Sequence, residues 1–285
     1  MQNSSSLRHF STDKHTRGQW DTRVTTARNP FVRAAISYCS FKRAFVDKLA
    51  KIAQGDHFVL DGGCGKGAYS HWYLGKRPTA VCIAVDWSEA ALRTIRPSAG
   101  GRILRLCADM RFLPLKSASM DALFSIDTLG HIDNCASALD EFSRVCKNGA
   151  PLFLHSECGD YRKKWPDNVL IRRLGEDLLA RYDGHDFLID AVELYTLFSR
   201  RFQIQSFIHP AGYCGFFLGY PEKYRMAFIQ AHCRFLAFLT AVFALLKKTP
   251  ALGLSIRLLN ALTNHCEVFL GLKGGGSCFA LMKKP

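Results

Sequence analysis

In the middle of the chain, short apolar runs end in an acid at regular intervals. Residues 58–60 meet Asp61, 80–85 meet Asp86, 102–107 meet Ala108-Asp109, 120–126 meet Asp127, and a run opening at 151–154 heads for Glu157. Runs of this length predict short buried strands. Helical patterns fall between them. One covers about 68–74, one starts at Ser88, a plausible N-cap, and one covers 136–146 and stops at Lys147-Asn148-Gly149. This alternation predicts a parallel sheet covered by helices on both faces. Residues 167–201 predict two helices, 203–209 a sixth strand and 277–282 a last one. Upstream, Phe31, Ala35, Tyr38, Phe41, Phe45 and Leu49 recur every three or four positions. They predict a helix that opens at Asn29-Pro30, ends at Gly55 and brings Trp20 and Tyr38 near a pocket mouth. From Pro221 to about Leu272 the alternation gives way to an apolar, basic, helical stretch.

The first strand leads into the densest punctuation of the chain, Asp61-Gly62-Gly63-Cys64-Gly65-Lys66-Gly67. Glycines let a backbone reach φ > 0 and approach a ligand closely. A strand, a glycine turn and a helix N-terminus together form a nucleotide-type cradle. The Walker A phosphate loop is excluded, because no Gly-Lys-Ser/Thr follows at the required spacing. A dinucleotide-binding turn usually has its first glycine where this chain has Asp61, so an acid here suits a ligand with a cationic amino-acid part.

Four successive strands end in acids, Asp61, Asp86, Asp109 and Asp127, with Glu157 at or just past the next. Each alone reads as a cap or turn former. Unpaired acids crowded on one edge repel, so together they predict a ligand with cationic and hydroxyl-rich parts. Asp86 lies about 20 residues past the glycine turn, where an acid accepts hydrogen bonds from both ribose hydroxyls. The Trp87 ring suits an adenine face, and Asp109 with the Met110 backbone suits the adenine amino edge.

The segments VLDGGCGKGAYS, AVDWSEAAL, CADMRFLPLKSASMDALFSIDTLGHI and EFSRVCKNGAPLFL resemble the successive motifs of class I S-adenosylmethionine-dependent methyltransferases of the small-molecule type, similar to the quinone-biosynthesis methyltransferases. The resemblance covers about residues 55–157 and, more weakly, the chain to 209. It implies an α/β fold: a Rossmann-like seven-stranded sheet with helices on both faces and an antiparallel last strand, here with a helical insertion before that strand. It implies that Asp61, Gly62, Gly63 and Gly65 hold the methionine part of S-adenosyl-L-methionine. Asp86 would bind the ribose, Trp87, Asp109 and Met110 the adenine, and Asp127 would sit beneath the cofactor. Lys66 stands where the family accepts many residues, and Asn148-Gly149-Ala150 replaces the usual Pro-Gly-Gly. Motifs of nucleic-acid methyltransferases are missing: Asp127 is followed by Thr-Leu-Gly, with no Pro-Pro-Tyr/Phe and no Pro-Cys.

Charge adds a second theme. The net charge is +14. Residues 1–55 hold 10 Lys/Arg and 3 Asp/Glu, and residues 221–285 hold 9 and 2, whereas residues 56–220 are neutral. Basic flanks imply an anionic partner surface, lipid or nucleic acid or protein, or else a solvated face. Residues 1–29 read as a flexible basic leader. They lack the apolar core of a secretory signal and the apolar stripe of a transit helix. Residues 30–285 read as one methyltransferase domain. The 11 cysteines are scattered with no Cys-x-x-Cys pair, which suggests reduced thiols in a cytoplasmic setting, and no zinc spacing is present.

Within the insertion, 221–272, the uncharged run 235–246 is too short to span a bilayer, and the run 252–263 follows it. Four roles stay open: a cap over a lipophilic substrate, a peripheral membrane contact, a dimer interface, or extra helical core. Transfer from a sulfonium needs an aligned nucleophile, exclusion of water and, for some acceptors, a base. His131, just after the fourth strand, is the first candidate, and Glu157 with nearby His155 the second. Tyr161, Trp165, Tyr213 and Tyr220 are candidate pocket walls. The expected activity is methyl transfer to a small lipophilic or aromatic molecule. An RNA methyltransferase and a non-catalytic cofactor-binding protein are the alternatives.

Overall fold

The computed structural model describes residues 40–53, 58–97 and 99–285. The leader, Trp20, Tyr38, the opening of the first helix and Gly55 lie outside the described residues.

Seven strands form one sheet. They are β1 (Phe58–Gly62), β2 (Val81–Asp86), β3 (Ile103–Cys107), β4 (Ala122–Ile126), β5 (Pro151–Glu157), β6 (Gln203–Ile208) and β7 (Ser277–Lys283), in the spatial order β3-β2-β1-β4-β5-β7-β6. The four pairings among β1 to β5 are parallel, and β7 runs antiparallel to both β5 and β6. Strand order reverses between β1 and β4, the crevice where open α/β sheets bind ligands. Every residue of β4 is buried, as expected of a strand covered on both faces.

The covering helices show why the apolar runs do not simply alternate with polar residues. On one face, α1 (Phe41–Ile52) and α2 (Ala68–Lys76) pack Phe45, Val46, Leu49 and Tyr73 against Val59, Phe124 and Phe153. On the other, α4 (Cys135–Val145) and α7 (Ala191–Ser199) pack Leu139, Phe142 and Phe198 against Leu60, Leu123 and Leu152. Short α3 (Glu89–Arg93) starts as expected, with Ser88 Oγ accepting from the Ala91 amide. For α4, Asn134 plays the same part, which moves its start to Cys135.

Two expectations change. The stretch 167–201 forms three helices, α5 (Asp167–Leu174), α6 (Leu178–Asp183) and α7. Gly175 stops the first at φ 72°, and Asp177 caps the next by accepting from the Ala180 amide, so a stop signal and a start signal stand two residues apart. The fourth strand starts at Ala122, and Met120 instead makes an isolated bridge to Cys146. The insertion comprises α8 (Pro221–Gln230), α9 (Arg234–Lys248) and α10 (Pro250–Phe269), with proline in the first turn of α8 and of α10.

Candidate active site

The glycine turn is fixed by its neighbours. Amides of Gly63 and Cys64 both donate to the Val85 carbonyl at 2.9 Å, tying the turn to the end of β2. Gly63 has φ 74°, and a Cβ there would lie 2.1 Å from Thr128 Oγ1, so glycine is obligatory. Gly65 has φ 51°, but a Cβ would meet nothing within 4 Å. Open space therefore lies above Gly65, and Asp86 borders it.

Asp86 accepts from the Gly65 amide at 2.8 Å and the Ser88 amide at 2.9 Å. Burial raises its pKa, and these amides pull in the opposite direction. Trp87 beside it is half exposed. A carboxylate, exposed backbone and an aromatic ring around open space form a donor set that fits the ribose and adenine of S-adenosylmethionine. Gly62, at the end of β1, lies beneath, with a Cβ position 3.0 Å from the Phe142 ring and 3.5 Å from Met110 Sδ. The Met110 side chain is thus part of the core.

Asp61 departs from its expected position. It lies inside β1, 2% exposed, and accepts from Ser70 Oγ at 2.5 Å. Burial pushes its pKa up to about 7, opposed by the Ser70 hydrogen bond. It therefore supports the turn from below and braces the start of α2. The sign of its effect on stability follows. The folded state holds a proton that the unfolded state, with the ordinary value of 3.8, releases, so stability falls as pH rises from about 4 to 7. Asp61→Asn is expected to stabilise the protein at pH 8 by on the order of 2 kcal/mol and to lose that gain below about pH 4, as measured by urea melts at both pH values.

Asp109 is also engaged. Each of its oxygens accepts two hydrogen bonds from Arg111, at 2.6 to 3.1 Å, and Arg111 reaches on to Asp133 at 2.5 Å. Its side chain is a brace for the loop that presents the Met110 backbone.

The acids have different partners. Asp127, at φ 60°, forms a second centre with Lys42 of α1, whose Nζ stands 2.6 and 2.5 Å from the two carboxylate oxygens. His155 Nδ1 is 2.9 Å from Asp127 Oδ1, close but poorly aligned for a hydrogen bond. Burial opposes the charge on Lys42, but Asp127 and Glu157 outweigh it and raise its pKa. Burial likewise opposes the charge on Asp127, and Lys42 and His155 hold it well below the carboxylate range. Glu157 goes the other way. Burial and the neighbouring Asp127 push it well above that range. The expectation of unpaired strand-end acids fails here, because α1 supplies the cation.

His131 and His185 join the two centres. Their ring centroids are 4.5 Å apart. His131 Nδ1 lies 2.8 Å from the Gly184 carbonyl, so that nitrogen carries the proton and Nε2 the lone pair. The ring stands within electrostatic reach of Asp86. On the other side, His185 Nε2 is 3.8 Å from Glu157 Oε2. Burial, then His131, lowers the pKa of His185 to about 4, so this imidazole is neutral at pH 7. Of the four candidate wall residues, Tyr220 is within electrostatic reach of Lys42, Asp127 and Glu157, with Lys223 over its ring and more than half of its surface exposed. Tyr161 donates to Asp177, Tyr213 lies under Lys164, and Trp165 is exposed. Lys42 and His185 were missed. Lys42 carried a signal, since it interrupts the apolar face of Phe45, Val46 and Leu49. His185 sits in a polar loop that carried none.

A parallel sheet with one antiparallel strand next to last in order, a strand-end acid, a glycine turn and a second acid on β2 are the features of the class I S-adenosylmethionine-dependent methyltransferases, and residues 60–154 match the family described as Methyltransferase domain. A segment of 114 residues is 32% identical to a malonyl-[acyl-carrier protein] O-methyltransferase of Methylococcus capsulatus, over 38% of this chain and 41% of that protein. The chain thus matches less than half the length of this curated relative. Geranyl diphosphate C-methyltransferase of Streptomyces coelicolor A3(2), solved with Mg2+, geranyl diphosphate and S-adenosyl-L-homocysteine, superposes with a TM-score of 0.54 at 12% identity, covering 86% of this chain and 78% of that one. The [4+2]-cyclase SpnF superposes with 0.52 at 17% identity, covering 85% and 80%. Shared fold does not assign chemistry, so the function rests on the site.

Proposed function

We propose that the chain transfers a methyl group from S-adenosylmethionine to a small molecule held between the histidine pair and Glu157. The observation that carries this reading is the continuity of the site. Asp86 beside Gly65 is within electrostatic reach of His131, the His131 ring is 4.5 Å from that of His185, and His185 Nε2 is 3.8 Å from Glu157 Oε2 in the centre that holds Asp127 and Lys42. When bound, S-adenosylmethionine supplies an electrophilic methyl group. Asp86 and the glycine turn would hold it, with Trp87 and the Met110 backbone at the adenine. The chain's remaining task is to orient the acceptor and take its proton. His131 Nε2 has the lone pair for that, and neutral His185 can pass the proton on. Glu157, whose pKa burial and Asp127 raise, would when protonated donate a hydrogen bond that orients a carbonyl or hydroxyl. The relatives reported above favour a small-molecule acceptor over RNA.

Calorimetric titration with S-adenosylhomocysteine, joined to label transfer from S-adenosylmethionine into a lipid and metabolite extract, tests this reading. The native protein should bind and transfer. His131→Ala and Glu157→Gln should keep binding within about 3-fold and lose turnover by about 100-fold or more. Absence of binding by the native protein, or full turnover by both variants, would overturn it.

A membrane-facing, lipophilic substrate is the finer part of the proposal. Phe235, Phe238 and Leu245 form an exposed stripe along α9, and Leu252, Leu259, Leu262 and Phe269 form another along α10. Their spacing of three and seven places each stripe on one helix face, and that of α9 lies opposite its buried Ala237, Thr240 and Ala244. Lys247 and Lys248 close α9. Among the described residues no single helix is long and apolar enough to cross a membrane, and the α9–α10 pair bends by 113°. Such a bent, basic-edged pair suits lying in an interface. Binding to vesicles with anionic lipid at low salt is expected, with weaker binding to zwitterionic vesicles and loss in Phe238→Asp/Leu262→Asp. Equal sedimentation with and without vesicles would refute the membrane contact.

A further inference from the structure

Beyond the methyl-transfer site, three neighbouring strands bring two cysteines and a histidine to one point. Cys158 follows β5, His209 follows β6, and Cys278 is the second residue of β7. One ligand atom from each lies within 4.8 Å of the other two. Cys158 Sγ is 3.5 Å from His209 Nε2. A tetrahedral zinc ion with Zn–S of about 2.3 Å and Zn–N of about 2.0–2.1 Å sets that edge at about 3.6 Å. Both cysteines are fully buried. Oxygen donors stand close for a fourth place. The Gly275 carbonyl is 3.2 Å from Cys158 Sγ and 2.8 Å from His209 Nε2, and Asp160 Oδ2 is 3.9 Å from that nitrogen.

A disulfide explains the pair less well. Glu157 pairs with Ser277 and the Cys158 amide donates to the Gly276 carbonyl, so Cys158 stands diagonal to Cys278 across an antiparallel pair. Diagonal neighbours are about 7–8 Å apart at Cα, beyond the usual disulfide limit of about 6.8 Å. A metal bonded to both sulfurs spans that gap. Two thiolates and an imidazole select zinc over magnesium or calcium.

We infer that Cys158, His209 and Cys278 form a structural zinc site that fastens β7 between β5 and β6. It is independent of the methyl-transfer reading. The spacing of the ligands hides it in the sequence, since each comes from a different strand. Binding would release the thiol protons to solvent and replace the hydrogen bond from His209 to Gly275.

The test uses the full chain, stripped with a chelator and titrated with Co2+. One Co2+ per chain is expected, with tetrahedral d–d absorption and a thiolate-to-cobalt charge-transfer band, both displaced by Zn2+. Cys278→Ser and His209→Ala should lose the band, while Cys266→Ser, at an exposed cysteine, should keep it. If the first two variants fail to fold, the native spectrum still decides. A native protein without the thiolate band overturns the inference. So does Co2+ binding that survives Cys278→Ser but is lost in Glu157→Gln, which would place the metal at the Asp127–His155–Glu157 group.

Discussion

Asp86→Ala is expected to weaken S-adenosylhomocysteine binding by about 100-fold or more, with little change in melting temperature. A buried carboxylate at the end of β2 offers charge-assisted hydrogen bonds to two ribose hydroxyls, each worth about 1.5–3 kcal/mol. The same carboxylate holds the Gly65 and Ser88 amides, so its loss also loosens the turn that faces the ligand. Asp86→Asn keeps the shape and one acceptor and should lose about 10-fold. Titration calorimetry on the three proteins orders them. Equal affinity in native protein and Asp86→Ala would remove the ribose role from this residue.

The largest expected loss of stability comes from Lys42→Met. Lys42 is three-quarters buried between Asp127 and Glu157, with 25% of its side chain exposed. Removing one partner of such a pair leaves an uncompensated charge, a loss of about 3 kcal/mol for a pair that keeps some solvent contact. The pH dependence follows from Asp127. Its pKa is depressed in the folded state, so its contribution is present above the ordinary carboxylate value of about 3.9 and is lost as pH falls below it. The penalty of Lys42→Met should therefore be full at pH 7 and shrink toward pH 4, as Asp127 takes up a proton. Lys42→Met/Asp127→Asn should recover most of the loss at pH 7. Denaturant midpoints at the two pH values measure both effects. A double variant no more stable than the single would show that the pair is not the source.

The sheet was legible because its first five strands are short apolar runs that end in or near an acid. Asp86 borders the open space above Gly65, and Gly63 is held by Thr128 as the turn required. The sequence reading failed where partners come from far away. Asp109 looked free because its Arg111 clamp forms two residues on, through a turn that apolar periodicity does not mark. Asp127 looked unpaired because Lys42 lies 85 residues earlier, on a helix read only for its apolar face. His185 became visible only when the loop after α6 folded back over His131. The break in 167–201 was readable in principle from Gly175 and Asp177, but apolar periodicity ran through it.

The position of β7 also has a consequence for synthesis. The strand lies between β5 and β6 in space yet comes after three insertion helices in the chain. While the polypeptide is being made, residues 151–157 can find β4 at once but face water along their other edge until residue 283 has left the ribosome. The nucleotide-binding half can thus form early, with its fourth and fifth strands already paired, while the seam that joins it to β6 closes last. Pairings of such long sequence separation are slow to form. The exposed edge of β5 and the apolar stripes of α9 and α10 coexist in that interval, which makes the nascent chain most dependent on chaperones until residues 277–283 emerge.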